Sequence, residues 1–337
     1  MKGAGNIILI FIFLSVVSCH ENNRKFSRFS GFTQGTTYSV IYEELPGLSV
    51  DKMRERVEKV LYDFDMSLSA YNPESIISAI NMNQDVQPDS LFLTVLNRAR
   101  EVWEISGGVF DITAGPLINA WGFGPDAVKR FDESKLDSLM KLVGMDKISL
   151  VDGKVVKADP NMYLDVNAIA QGYSVDVVGT FLERLGINNY LVEVGGEVRT
   201  RGTKAEGQVW KIAVDKPRDG NFIPGSDIQT IISLSGNSLA TSGNYRKFYE
   251  EEGIKYSHTI DPRSGYPVMH KLLSVTIVAD DCMSADAIAT ACMVLGLEDS
   301  KNFLLSNPEF EGYLVYSNEN GEFNTWFTEG MLRYISE

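Results

Sequence analysis

The stretch "LLSVTIVADDCMSADAIATACMVLG", residues 272–296, decides the fold. Its first seven residues, 272–278, form a β-branched apolar run that reads as a strand. From Ser284 to Leu295 nearly every residue is apolar or small, and Gly296 follows as a stop, so this part reads as a buried helix. Around it, the β-rich runs "YLVEV" (190–194), "VWKIAV" (209–214), "IQTIISL" (228–234) and "YSHTI" (256–260) precede the strand, and "GYLVYS" (312–317) and "FNTWF" (323–327) close the chain. Strict βαβ alternation is absent. The expected class is therefore α+β, with a mixed, largely antiparallel sheet core and packed helices.

Further upstream, "GTTYSVIY" (35–42) reads as an early strand. Ser49 and Asp51 can cap "DKMRERVEKVLYDFD", where Met53, Val57, Val60, Leu61 and Phe64 share one helical face. Another helix is expected from about Ser90 to Ser106, stopped by Gly107-Gly108. "KISLVDGKVVKA" (147–158) is a hairpin turning at Asp152-Gly153, and a helix runs from Ala168 to Leu185 with Gly186 at its end. "GFGPDA" (122–127) matches a dinucleotide-binding pattern, but no strand runs into it and Pro125 interrupts it, so it is set aside.

The chain has 337 residues, 44% of them hydrophobic, and a formal charge of −14 with no basic block, which argues against a nucleic-acid partner. An anionic ligand would need local neutralisation by a few cationic side chains or a metal. The N-terminal "NIILIFIFLSVVSC" (6–19) is too short for a spanning helix and reads as a secretory signal over residues 1–18. "LSVVSC" resembles the bacterial lipobox, with Val16 where Leu is commonest, so Cys19 is the expected lipidation site. Residues 19–28 are then a lipidated tether holding a domain of residues 29–337 on a membrane. Cys282 and Cys292 stand ten residues apart, about 15 Å along a helix, too far for a disulfide. The chain has three His, and no Cys or His pair has zinc spacing.

Asp286 and Thr290 lie four apart in the apolar helix, on one stripe. Two readings are open. Asp286 could complement the helix N-terminus while Thr290 bonds back to its own backbone. Alternatively, a carboxylate and a hydroxyl one turn apart form an oxygen pair suited to Mg²⁺ or Ca²⁺. In "LDVNAIAQGYSVD" (164–176), Asp165 is placed to cap or to bind, and Gly172 lets another segment approach closely. His258 opens a strand that ends in the Asp261-Pro262 turn, and could orient a phosphate or shuttle a proton. "VEVGGEVRTRG" (192–202) and "ATSGNYRKF" (240–248) allow close backbone approach to a ligand.

In order, "GTTYSV", "FDITAGPLINAWGFG", "DVNAIAQGYSVD", "VEVGGEVRTRG", "ATSGNYRKF", "SHTIDPRSGYP" and "SADAIATACMVLG" closely resemble the ApbE family, the FAD:protein FMN transferases. The resemblance implies transfer of FMN from FAD to a Thr or Ser hydroxyl of a target flavoprotein through a phosphoester bond, releasing AMP, with Mg²⁺ neutralising the pyrophosphate. It makes Asp286, Thr290 and the Ala168 carbonyl the metal ligands. It puts Gln34, Tyr71, Ala120, Trp121, Gly122, Asp165, Gln171 and Ile260 against FAD, and His258 and Asp286 at the chemistry. It further implies an exported bacterial lipoprotein facing the periplasm, acting on subunits of ion-translocating electron-transfer complexes. The family usually carries Met at the position of Gln34, Lys at that of Gln171 and often Asp at that of Asn244. An FAD pyrophosphatase giving FMN and AMP, or a lipid-anchored FAD-binding protein, are the alternatives.

Overall fold

The computed structural model describes residues 24–125, 131–218, 225–244, 248–251 and 254–336. In chain order its regular elements begin with strands β1 (Phe26–Thr33) and β2 (Thr36–Glu43), followed by helices α1 (Val50–Leu68), α2 (Ile76–Asn81), α3 (Ser90–Ile105), α4 (Gly115–Ala120) and α5 (Leu136–Met140). The hairpin β3 (Ile148–Val151) and β4 (Lys154–Lys157) leads to α6 (Asn167–Arg184). Then come β5 (Tyr190–Val194), β6 (Glu197–Arg201), β7 (Trp210–Asp215), β8 (Ile228–Leu234), β9 (Ser238–Gly243), β10 (Phe248–Glu251), β11 (Ile254–Ser257) and β12 (Leu272–Ala279). Helices α7 (Cys282–Leu295) and α8 (Leu297–Ser306), and strands β13 (Glu311–Ser317), β14 (Phe323–Phe327) and β15 (Ile335–Ser336), complete the chain.

Eight strands form the main sheet in the order β1-β2-β5-β6-β9-β12-β13-β14, and every neighbouring pair is antiparallel. The α+β expectation holds, and among the described residues the main sheet is more uniform than a mixed one. Side-chain alternation divides its two faces. Val275 and Ile277 of β12 and Leu314 of β13 join the large core beneath α3, α6 and α7. Their neighbours Val278, Tyr313 and Val315 point the other way, onto Val214, Ile232 and Leu234 of the separate sheet β15-β8-β7. A third cluster packs Met53, Val57 and Leu61 of α1 and Val175, Val178 and Leu182 of α6 against Tyr38, Val40, Tyr190 and Val192.

Two boundaries differ from expectation. Strand β1 occupies residues 26–33, and Arg24 donates to Thr203 Oγ1 at 3.1 Å and to the Lys204 carbonyl at 2.8 Å, so residues 24–28 belong to the folded unit rather than to a tether. "YSHTI" does not run through as a strand: β11 ends at Ser257, and Ile260 makes an isolated bridge to Pro267. The signal segment and Cys19 lie outside the described residues. Among the described residues no helix is long and apolar enough to cross a membrane.

Candidate functional site

Helix α7 is largely apolar around its circumference because it is buried: eleven of its fourteen residues are buried. Asp281 caps it by accepting the Ser284 N–H at 2.7 Å, and Gly296 ends it at φ 78°. Asp286 sits in this environment at 6% exposure. Its Oδ2 accepts the Gly172 N–H at 3.0 Å, and among the described residues no Lys or Arg pairs with it. Burial pushes its carboxyl well above the ordinary range and the nearby Asp176 charge pushes the same way, while the Gly172 amide opposes both. One amide does not offset a desolvation cost of several kcal/mol, so the site calls for a proton or a cation.

The amide that Asp286 engages is significant. In a regular α-helix the N–H of residue 172 serves the carbonyl of residue 168. Asp286 therefore competes for the N–H that the Ala168 carbonyl would use in a regular helix. Gly172 makes the contact possible, because a Cβ there would lie 2.3 Å from the Cys282 carbonyl oxygen and 2.7 Å from the Asp286 Cβ. The close approach expected at this glycine is present. One turn beyond Asp286, Thr290 Oγ1 lies 3.3 Å from Ser242 Oγ of β9, so its recorded side-chain partner lies across the packing interface rather than on its own helix. One carboxylate, one or two hydroxyls and a backbone carbonyl make an all-oxygen set that fits a hard divalent cation. Among the described residues no group of three His, Cys, Asp or Glu gathers to hold a metal.

Helix α7 is held on α6 by a second carboxylate. Asp176 accepts the Cys282 N–H at 3.0 Å and the Met283 N–H at 2.8 Å. Arg199 of β6 donates to Asp176 at 3.0 Å and to Glu183 at 2.9 Å. Burial raises the Asp176 carboxyl to about 6, against the pull of those two amides and of Arg199. The first three amides of α7 are thus taken by Asp176 and Asp281, which leaves this helix end closed to an anion.

The start of α6 gathers the next group. Asp165 is 5% exposed and accepts the Asn167 N–H at 2.8 Å, while its own N–H donates to the Ile112 carbonyl at 2.7 Å. Tyr71 stands nearby with 61% of its surface exposed, its hydroxyl influenced by burial, the Asp165 charge and a bond with Asn167. On the second turn, the Gln171 amide nitrogen packs against Gly195, where an added Cβ would meet it at 2.5 Å and where φ is +66°. Gln34 occupies the β1–β2 turn at φ 50°, with its buried amide nitrogen facing the Asp65 carboxylate.

The remaining expected residues form a separate cluster. Trp121 is 7% exposed, donates its ring N–H to the Gly265 carbonyl at 2.7 Å and stacks on Phe131 at 3.9 Å. Ala120 ends α4, Gly122 is exposed beside it, and Ile260 packs in the same cluster. His258 is half-buried with its ring 6.3 Å from that of Phe123. Helix α4, six residues and about 9 Å long, links this cluster to the Asp165 side, since Ile112 at its approach holds Asp165. Asn244 donates its side-chain N–H to the Leu272 carbonyl at 3.0 Å, a bond that an Asp could not make. Sequence reasoning assigned no role to Asp176, Arg199, Asn167 or Ser242. Asp176 alone had a usable signal, its spacing of four from Gly172.

A family model described as the ApbE family matches residues 34–314. The chain is 36% identical over 332 residues to the FAD:protein FMN transferase of Haemophilus influenzae, covering 95% of this chain and 94% of that one. Its fold is similar to that of the flavin transferase ApbE from Vibrio cholerae, with a TM-score of 0.82 at 31% identity over 92% of this chain and 99% of that one. The apo flavinyl transferase ApbE of Pseudomonas stutzeri gives a TM-score of 0.82 at 32% identity, covering 92% and 96%.

Proposed function

This chain belongs to the ApbE family, and from that premise we propose that it transfers FMN from FAD to a hydroxyl of a target flavoprotein with the help of Mg²⁺. The observation that carries the metal-dependent reading is Asp286: a buried carboxyl answered, among the described residues, by one N–H, that of Gly172, which in a regular helix serves the Ala168 carbonyl, with Thr290 one turn further on. Those three groups would hold the ion, which when bound supplies neutralisation of the pyrophosphate charge. Asp165 and Gln171, three positions either side of Ala168 in the chain, and the exposed ring of Tyr71 near Asp165 suit a flavin with its adjoining phosphate. Gln34, Ala120, Trp121, Gly122 and Ile260 complete the cofactor-binding set.

In the reaction the acceptor Thr or Ser oxygen forms a bond to the FMN phosphorus, and the P–O bond to AMP breaks. AMP leaves with the electron pair of that bond, and the acceptor proton passes to a base. His258 is the proposed acid/base or phosphate-orienting group, with Asp286 sharing the task. The protein's contribution is alignment and charge, which is the main demand of phosphoryl transfer.

The test uses the soluble form starting after Cys19, incubated with FAD, Mg²⁺ and an acceptor flavoprotein carrying the target Thr. The expected result is covalent flavin fluorescence on the acceptor with one AMP per label, abolished by EDTA. FMN and AMP without label would assign a pyrophosphatase, and unchanged FAD would assign a binding protein.

The proposal extends to the cell. The chain is an exported lipoprotein anchored through Cys19 and facing the periplasm, and its targets are subunits of membrane-bound electron-transfer complexes. The support is the N-terminal run ending in "LSVVSC", since several acyl chains at about 0.8 kcal/mol per buried methylene suffice for stable anchoring. Cys19→Ala is expected to move the protein from the membrane pellet to the soluble fraction. Continued co-sedimentation would remove the anchor.

A further inference from the structure

Helices α6 and α7 face each other along two stripes of equal period. On α6 the stripe is Ala168, Gly172 and Asp176, and on α7 it is Cys282, Asp286 and Thr290, each with a spacing of four. The recorded contacts fix the pairing: Asp176 meets the Cys282 amide, and Gly172 meets Asp286. The helices therefore run antiparallel along this seam, and the repeat carried one turn further brings Ala168 to the level of Thr290. Asp176 stands at one end of the ladder and the oxygen ligands at the other.

An ordinary N-cap comes from the residue before its own helix and leaves the helix free to shift as a unit. Asp281 is such a cap for α7. Asp176 is different, because it takes two α7 amides from a neighbouring helix. Both bonds break if α7 slides or rotates against α6, so they fix the relative register of the two helices. Asp176 is 6% exposed, and its own position is set by Arg199, which also bonds Glu183 and the Tyr190 hydroxyl. The register is thereby referred to strands β5 and β6.

We propose that Asp176 is a positioning residue for the transfer reaction: by clamping the first turn of α7 to α6, it sets the distance between Asp286, Thr290 and the Ala168 carbonyl. The inference rests on the metal reading above. It assigns Asp176 no contact with substrate. A cation needing oxygens at fixed separation is sensitive to this register.

The experiment measures Mn²⁺ binding by electron paramagnetic resonance in the presence of saturating FAD, together with the Mg²⁺ dependence of labelling. Asp176→Asn is expected to weaken Mn²⁺ binding about tenfold or more, the scale seen when groups supporting metal ligands are removed. The Mg²⁺ concentration for half-maximal rate rises in parallel, while kcat at saturating Mg²⁺ stays within about threefold of wild type. A purely structural residue would lower Tm and leave metal affinity unmoved. A folded Asp176→Asn protein with Mn²⁺ affinity within about twofold of wild type overturns the inference. If that variant does not fold, Arg199→Lys replaces it, keeping the charge but losing the bonds to Glu183 and Tyr190. Weaker Mn²⁺ binding in it supports the clamp, and unchanged binding overturns it. Failure of the wild-type protein to bind Mn²⁺ with FAD would instead remove the metal reading and this inference together.

Discussion

Asp286→Asn abolishes FMN transfer, lowering the labelling rate by about 10³-fold or more, and at the same time stabilises the metal-free protein above neutral pH. The first effect follows from losing the one carboxylate of the proposed oxygen set. Charge stabilisation by a bound metal contributes several kcal/mol to a transition state, and each 1.4 kcal/mol is about tenfold in rate. The second effect follows from burial. The folded-state carboxyls of Asp286 and Asp176 are both raised above the ordinary carboxylate range, that of Asp176 to about 6. Below an unfolded pKa of about 4 both states hold the proton; above it the unfolded chain releases its proton first. Their contribution to stability is therefore complete at low pH and is lost as pH rises through the folded values. Asn does not ionise, so the variant loses the Asp286 share of this slope.

Thermal unfolding in EDTA between pH 4.5 and 8 measures it. Wild-type Tm falls as pH rises and recovers at pH 8 when Mg²⁺ is added. The Asp286→Asn curve is flatter and is unmoved by Mg²⁺. Labelling within tenfold of wild type, or an unchanged pH slope, would contradict the assignment.

Much of this site was legible in the sequence because helical spacing is local. The interval between Asp286 and Thr290 put both on one stripe of a buried helix, with two readings left open, and Gly172 marked a place where another segment approaches closely. Residues that act across long separations were not legible. Asp176 bonds to amides more than a hundred positions away, and Ser242 reaches Thr290 of α7 from strand β9. A backbone N–H as partner leaves no trace in residue identity. Strand order was hidden for a related reason. Alternation predicts a strand but not its neighbour, and β2 pairs with β5 across six helices of intervening chain. The first residues of β1, 26–28, were read as tether because an edge strand with a solvated face, here carrying Arg28 and Ser30, has a polar composition. The division of the residues expected against FAD into an α6 group and a Trp121 group also depends on tertiary placement, which the short α4 provides.

Gly172→Ala is expected to destabilise the protein and disable it, against the local trend. Inside a helix, Ala is favoured over Gly by about 1 kcal/mol, so an unconstrained site would gain stability. Here the new Cβ would lie 2.3 Å from the Cys282 carbonyl oxygen, a backbone atom in the first turn of α7. No rotamer relieves that contact, and α7 has to move away. The movement stretches the Gly172–Asp286 bond and the two amide bonds to Asp176 together, since all three lie on the same seam. Overpacking of this kind costs about 1–3 kcal/mol, enough to reverse the helix-propensity gain. A displacement on the order of 1 Å at a site that works by alignment lowers rate by about 10²-fold. Denaturant unfolding and labelling at saturating Mg²⁺ measure the two effects in one preparation. A variant more stable than wild type and fully active would mean that the helices can separate without consequence, and the seam would then have no part in holding the ligands.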